Sequence, residues 1–261
     1  MKNYFWFLVL GLSLSACATD PAPPASATSA APPDAPLRVG ISPVFPPMAF
    51  KQGRELVGVE VDLARALGEH LGRKVVFVEL PWKNQIDALN DGKTDIIMSA
   101  MSVTPARRYV VNFTRPYYVV AQMALVRRED KNKYLIGIPL NLPGPIGVVS
   151  ATTGDYLVQR DFTVAKRKTY ADGDDAAVAL RKKKIAMFIG DSTSVCYLAG
   201  IYANDGLAVV PLALNEESLG WAVRMSDDAL LAQANSFITQ AIDNGTLAKI
   251  FSRWVATNER L

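Results

Sequence analysis

Six consecutive residues, Ser102-Val103-Thr104-Pro105-Ala106-Arg107, bring together a hydroxyl, a threonine–proline pair and a guanidinium. Threonine is a favoured helix N-cap and proline fits the first helical turn, so this segment opens a helix. Arg107 then falls in the first turn, where the positive end of the helix dipole disfavours a cation. Either an anion compensates it, or it is an exposed arginine paired with a surface acid. A guanidinium beside a helix N-terminus and the Ser102 hydroxyl suits a carboxylate, since its fork donates two parallel hydrogen bonds. Asp191 follows the apolar stretch Ile185–Ile189. It is either the N-cap of the next helix or a carboxylate at the carboxyl end of a strand, where open α/β sheets bind ligands. Thr152, at the turn Ala151-Thr152-Thr153-Gly154, either caps a helix or offers that turn's backbone N–H groups to an anion. Phe45 in a proline-rich loop and Trp82 after a strand are either core residues or the two walls of a ligand slot.

The elements that would position these residues alternate. Leu37–Ile41 and Val75–Val78 have the β-rich character of short strands, and Asp95–Met101 is expected to be another. Between them, Leu63, Leu67 and Leu71 recur at spacing four, which predicts a helix over Val59–Leu71 ended by Gly72. Asn84–Asn90 is a second, short helix. The later half of the chain alternates in the same way. Strands are expected over Ile146–Val149, Ile185–Ile189 and Leu207–Leu212, and a helix over Asp174–Lys184 with acids first and lysines last. Asp227–Phe251 holds one or two long amphipathic helices interrupted at Asn244-Gly245. Alternation of this kind implies an α/β fold with a parallel or mixed sheet covered on both faces.

The formal net charge is +3, and the chain has two cysteines, Cys17 and Cys196, and a single histidine, His70. A charge that small and scattered argues against nucleic acid as a partner, and the inventory is too poor for a Cys/His zinc site. There is no GxSxG, HExxH or P-loop motif and no paired cysteines, and no cofactor is expected. At the N-terminus, Lys2 precedes the apolar run Tyr4–Leu14, which has the length of a signal-peptide core and is too short to span a bilayer. The run ends in Leu14-Ser15-Ala16-Cys17, which resembles the bacterial lipobox. That predicts a signal peptide over 1–16, a lipid anchor on Cys17, and a Pro/Ala/Ser tether over 17–35.

Further motifs stand in a fixed order: Leu37-Arg38-Val39-Gly40, Leu56-Val57-Gly58-Val59-Glu60-Val61-Asp62-Leu63, Trp82 with Ala88-Leu89, Asp95-Ile96-Ile97-Met98-Ser99, the segment around Arg107, Phe113-Thr114-Arg115-Pro116-Tyr117-Tyr118, Gly147-Val148 and Leu219-Gly220-Trp221-Ala222-Val223-Arg224. Together they resemble the family 3 periplasmic solute-binding proteins, which include receptors for polar amino acids. The resemblance implies a two-lobed α/β fold (the type II periplasmic-binding fold) with two hinge crossings. It places lobe one at 36–119 and 219–261 and lobe two at 120–218. It implies that Arg107, with Ser102 and Thr152, holds a ligand's α-carboxylate, that Asp191 holds its ammonium, and that Phe45 and Trp82 flank its side chain. The expected partner beyond the ligand is the permease of an ABC transporter, with the membrane reached through the lipid alone.

The chain also departs from that family. Ala151 replaces the usual glycine of the G-T-T turn, Ala100 stands where some members have a carboxylate-binding serine, and Asn132–Pro145 lacks the usual lead into lobe two. Two other functions share the fold: a cyclohexadienyl dehydratase-like enzyme, for which Asp155 is the candidate general acid, and a ligand sensor for a membrane receptor. Ser42 stands where cation-binding members often have an acid. With Phe45, Trp82 and Met101 as the remaining wall, this predicts a preference for neutral amino acids unless Glu60 or Glu79 supplies a charge.

Overall fold

The computed structural model describes residues 35–255. The segments expected to be the signal peptide and nearly all of the tether, with Cys17, lie outside the described residues. Two five-stranded sheets organise the chain, each with helices on both faces. The first is ordered β5-β1-β6-β13-β7, with β1 (Leu37–Ile41) parallel to β5 (Val75–Glu79) and β6 (Ile96–Ile97). Strand β13 (Ala222–Val223) returns late in the chain to pair antiparallel with β6 and β7 (Asn112–Phe113). A small sheet of β2 (Val44–Phe45), β3 (Ala49–Gln52) and β4 (Glu55–Val57) sits beside it. The second sheet is ordered β10-β9-β11-β8-β12, from β8 (Tyr118–Arg127), β9 (Ile146–Val149), β10 (Arg167–Tyr170), β11 (Met187–Asp191) and β12 (Leu207–Leu219). The fold is therefore a two-lobed mixed α/β structure. The chain passes between the sheets twice, entering the second through β8 and leaving it through β12.

Each lobe has its own core. Helices α1 (Val59–Leu71), α7 (Asp228–Asp243) and α8 (Thr246–Trp254) cover one face of the first sheet, where Leu37, Leu63, Leu67, Trp221 and Phe237 pack together. Helix α2 (Gln85–Asn90) covers the other through Leu89, against Ile97 and Met101. In the second lobe, α5 (Gly173–Arg181) and α6 (Ser192–Ile201) lie on one face and α4 (Thr153–Asp161) on the other. Helix α3 (Pro105–Arg108) is a single turn, capped as its sequence implies: the Thr104 side chain accepts from the Arg107 N–H.

Several segments differ from their expected bounds; the strand expected over Leu207–Leu212 runs on to Leu219, paired with β8. The strand expected over Asp95–Met101 is only Ile96–Ile97, because Ala100 takes a left-handed φ of 52° and turns the chain out of the sheet. The helix expected over Asp174–Lys184 runs Gly173–Arg181, capped by the Asp172 side chain. It ends in a Schellman motif in which Lys183, at φ 56°, occupies the left-handed position. The next strand accordingly starts late, at Met187, so Asp191 is its last residue.

One buried carboxylate ties these pieces together. Glu60 is fully buried in the first turn of α1. Its Oε1 accepts from the Ala100 N–H at 2.5 Å and from the Tyr117 hydroxyl at 2.6 Å, and its Oε2 from the Trp221 indole N–H at 3.0 Å. Burial raises its pKa, and these donors oppose the rise. Glu60 thus supplies no charge to a ligand, and Glu79 pairs with Lys51 at 2.8 Å on the surface. Each Glu60 oxygen faces an N–H donor, so in Glu60→Gln the amide nitrogen must oppose one of them whichever way it lies. We expect this variant to lose about 2 kcal/mol, a fall in Tm of about 4–8 °C for a chain of this size. A melting curve that superimposes on the wild type would show that Glu60 is not the tie described.

Candidate functional site

The six residues singled out by the sequence come from distant segments and line one small cavity. Phe45, Trp82, Ser102 and Arg107 belong to the first lobe, Thr152 and Asp191 to the second, and the space among them is about 30 Å³. That is room for a water or two. A larger cavity of about 1000 Å³ adjoins it, sharing Trp82, Arg107 and Thr153 and extending to Met101, Tyr156, Asn215 and Glu217.

Arg107 is held from its own lobe. Its guanidinium donates to the Ser102 carbonyl at 2.8 Å and lies 5.1 Å from the Trp82 ring centroid, a cation–π contact. It forms no ion pair among the described residues, which removes the surface-acid alternative and leaves most of its donors free. Burial lowers its pKa, opposed by the charges of Glu217 and Asp191. Trp82 meets Phe45 edge to face at 5.1 Å, and Phe45 packs against the second-lobe core. The indole N–H reaches across the cleft to the Ala151 carbonyl at 2.9 Å. Ala151 itself has φ 61°, the left-handed conformation that glycine would adopt without strain.

On the second lobe, the Thr152 hydroxyl is used by its own helix. It donates to the Val149 carbonyl at 2.8 Å and accepts from the Asp155 N–H at 3.2 Å, so it brings the N-terminus of α4 to the cavity. Asp155 is engaged as well: its carboxylate accepts from the Ala151 N–H at 2.9 Å and pairs with Arg167. It lines neither cavity. Asp191 precedes α6 but its side chain does not cap it. Its carboxylate accepts instead from the Gln122 amide at 2.6 Å. Desolvation raises its pKa to about 6; Glu217 adds to the rise, and Gln122 and Arg107 oppose it.

Gln122 and Glu217 have no place in the site expected from sequence. Both lie on the crossing strands β8 and β12, whose residues face the cleft only because the two lobes fold about them. The available signal is a glutamine inside the apolar run of β8 and an acid three positions before Gly220.

Residues 37–257 match the profile of the bacterial extracellular solute-binding proteins, family 3. This chain belongs to that family. The solute-binding protein is 27% identical over 225 residues to an ABC transporter arginine-binding protein of Escherichia coli K12, covering 84% of this chain and 90% of that one. It is 28% identical over 259 residues to a probable histidine-binding protein of Neisseria gonorrhoeae, covering 94% and 91%. Among solved structures it resembles an ancestral amino acid-binding protein described as a precursor of cyclohexadienyl dehydratase, with TM-score 0.77, 32% identity, and coverage of 84% of this chain and 95% of that one.

The electrostatics of the cleft are directly measurable. Carbon-detected NMR of the Asp191 carboxyl should titrate with a midpoint near 6. Glu217→Gln should lower that midpoint by removing a like charge, and Arg107→Ala should raise it by removing the opposing one. A wild-type midpoint near that of a free aspartate, about 3.9, would refute the desolvated site.

Proposed function

We propose that this solute-binding protein captures an amino acid between its lobes and delivers it to the permease of an ABC transporter. What carries the reading is that Arg107 and Asp191, a cation with free donors and a carboxylate without a salt bridge, line one cavity from opposite lobes. A zwitterion brings the complementary pair. Its α-carboxylate lies against Arg107, beside Ser102 and the N-terminus of α4 at Thr152, while its ammonium meets Asp191. Desolvating both charges is tolerable only with such partners. Phe45 and Trp82 flank the side chain. Because the volume among these residues is about 30 Å³, admission requires the lobes to part, and a ligand bridging both lobes then favours closure. We further propose that the chain is exported and held at the membrane by a diacylglycerol on Cys17, with residues 18–35 as tether, and that it binds without catalysis or cofactor.

Three measurements bear on capture. In a thermal-shift screen, an amino acid that binds raises Tm in a dose-dependent way. By calorimetry, Arg107→Ala should cost about 2–5 kcal/mol, roughly two to four decades in affinity, and Asp191→Asn should also weaken binding; both variants staying within a few-fold of wild type would sink the clamp. Incubation with prephenate or arogenate should yield no aromatic product, and the appearance of one would favour a dehydratase. For the anchor, mass spectrometry of the N-terminus should find an acylated Cys17, and Cys17→Ala should abolish the acyl mass.

A further inference from the structure

The cleft holds one carboxylate more than a neutral zwitterion can answer. Glu217, on β12, lines the larger cavity together with Trp82, Arg107, Thr153 and Asn215. Its Oε1 accepts from the Asn215 amide at 2.8 Å, and the Asn215 oxygen accepts in turn from the Gln122 N–H at 3.0 Å, so the carboxylate is fixed in orientation from the backbone of β8. Its Oε2 is buried and has no hydrogen-bond partner among the described residues. A carboxylate oxygen withdrawn from water without a donor is costly, and such groups are normally paired with a cation.

Among the described residues no cation donates a hydrogen bond to that oxygen, and the one whose charge couples to Glu217, Arg107, is shared with Asp191. Arg160 lines the same cavity but is exposed and commits its guanidinium to Asp161 in two bonds of 2.6 and 2.7 Å. Lys83 also lines this cavity but is exposed to solvent, where its charge is screened. Arg107 donates to the Ser102 carbonyl and stacks on Trp82. Trp82, Arg107 and Thr153 line both cavities. A ligand whose head group sits in the small one can therefore pass its side chain by these three residues toward Glu217.

We infer that Glu217 is a specificity-determining residue that receives the cationic side chain of a dibasic ligand of the arginine or lysine class. The inference rests on the proposed Arg107–Asp191 clamp. With one guanidinium and two carboxylates the site carries a net charge of −1, and a ligand with two cations and one carboxylate carries the complementary +1. Ser42, whose neutrality suggested the opposite preference, is buried and lines neither of these two cavities but a third one beside them, with Glu79 and Tyr170.

Arginine and citrulline separate charge from shape, since they are near-isosteric and only arginine's side chain is cationic. Calorimetry on the wild type should show arginine binding at least about tenfold more tightly than citrulline. In Glu217→Gln, which keeps the acceptor for Asn215, that ratio should collapse to within about threefold. Glu217→Asp, which retains the charge but withdraws it by a methylene, should give an intermediate ratio and serves if the glutamine variant does not fold. A wild-type ratio near one, or a ratio unchanged in both variants, overturns the assignment. If neutral amino acids bind and depend on Arg107 while arginine is not preferred, the clamp stands and only the role of Glu217 falls. If no amino acid binds the wild type, both fall.

Discussion

Glu60 sets the frame on which everything else is hung. A carboxylate buried in the first turn of a helix accepts hydrogen bonds from Ala100, Tyr117 and Trp221, three residues separated by up to 121 positions in sequence (Ala100 to Trp221). Each leads directly into functional structure. The Ala100 turn delivers Ser102 and the cap of α3, and so aims Arg107. Tyr117 precedes β8, the first crossing strand, and Trp221 follows β12, the second. A single acidic side chain with three donors thus fixes the loop that carries Ser102 and Arg107 and both crossings relative to one helix. Helix-dipole stabilisation of an acid in the first turn adds to the arrangement.

The cleft inverts the usual pattern of a protein interior. Buried charges are ordinarily paired, yet among the described residues Arg107 forms no ion pair, Asp191 accepts its side-chain hydrogen bond from a neutral amide, and Glu217 leaves one oxygen without a donor. The neighbourhood of these groups is what shifts their titration: Asp191 rises to about 6 because burial and Glu217 both oppose its ionisation. A folded-state pKa above the unfolded one means that this group's contribution to stability is present below the unfolded pKa and lost as pH rises through about 6. At neutral pH the unliganded site is therefore a local cost, which is the pattern expected where stability is traded for recognition.

Much of the fold is legible because its signals are local. The leucines at spacing four mark α1 to the residue, Thr104-Pro105 marks the start of α3, and Asn244-Gly245 separates α7 from α8. Some bounds shift at Ala100 and Lys183, non-glycine residues in left-handed conformations that no propensity anticipates, and β12 runs past Leu212 because Asn215–Leu219 pair with the distant β8. Phe45, Trp82, Ser102, Arg107, Thr152 and Asp191 are visible as a set only through the order of motifs, since they lie on separate elements. Gln122 and Glu217 are not legible because their meaning depends on which way a crossing strand faces. Glu60 reads as a possible source of ligand-binding charge, because a lone acid near a helix start carries no sign of the three distant donors it collects.

The two crossing strands are hydrogen-bonded to each other at the point of passage, with Leu219 opposite Tyr118 and Glu217 opposite Val120. They form one ribbon instead of two independent straps. A two-stranded ribbon bends readily across its face and resists shear in its plane, so the lobes are left with essentially a single degree of freedom, like the covers of a book about its spine. The register slips between Val210 and Asn215, which ends the stiff portion of the spine just beyond Gln122. Gln122 and Glu217 lie on this ribbon, whereas the Trp82–Ala151 hydrogen bond joins the two lobes through other elements. Bending of such a ribbon would keep its own ladder intact while breaking the Trp82–Ala151 bond.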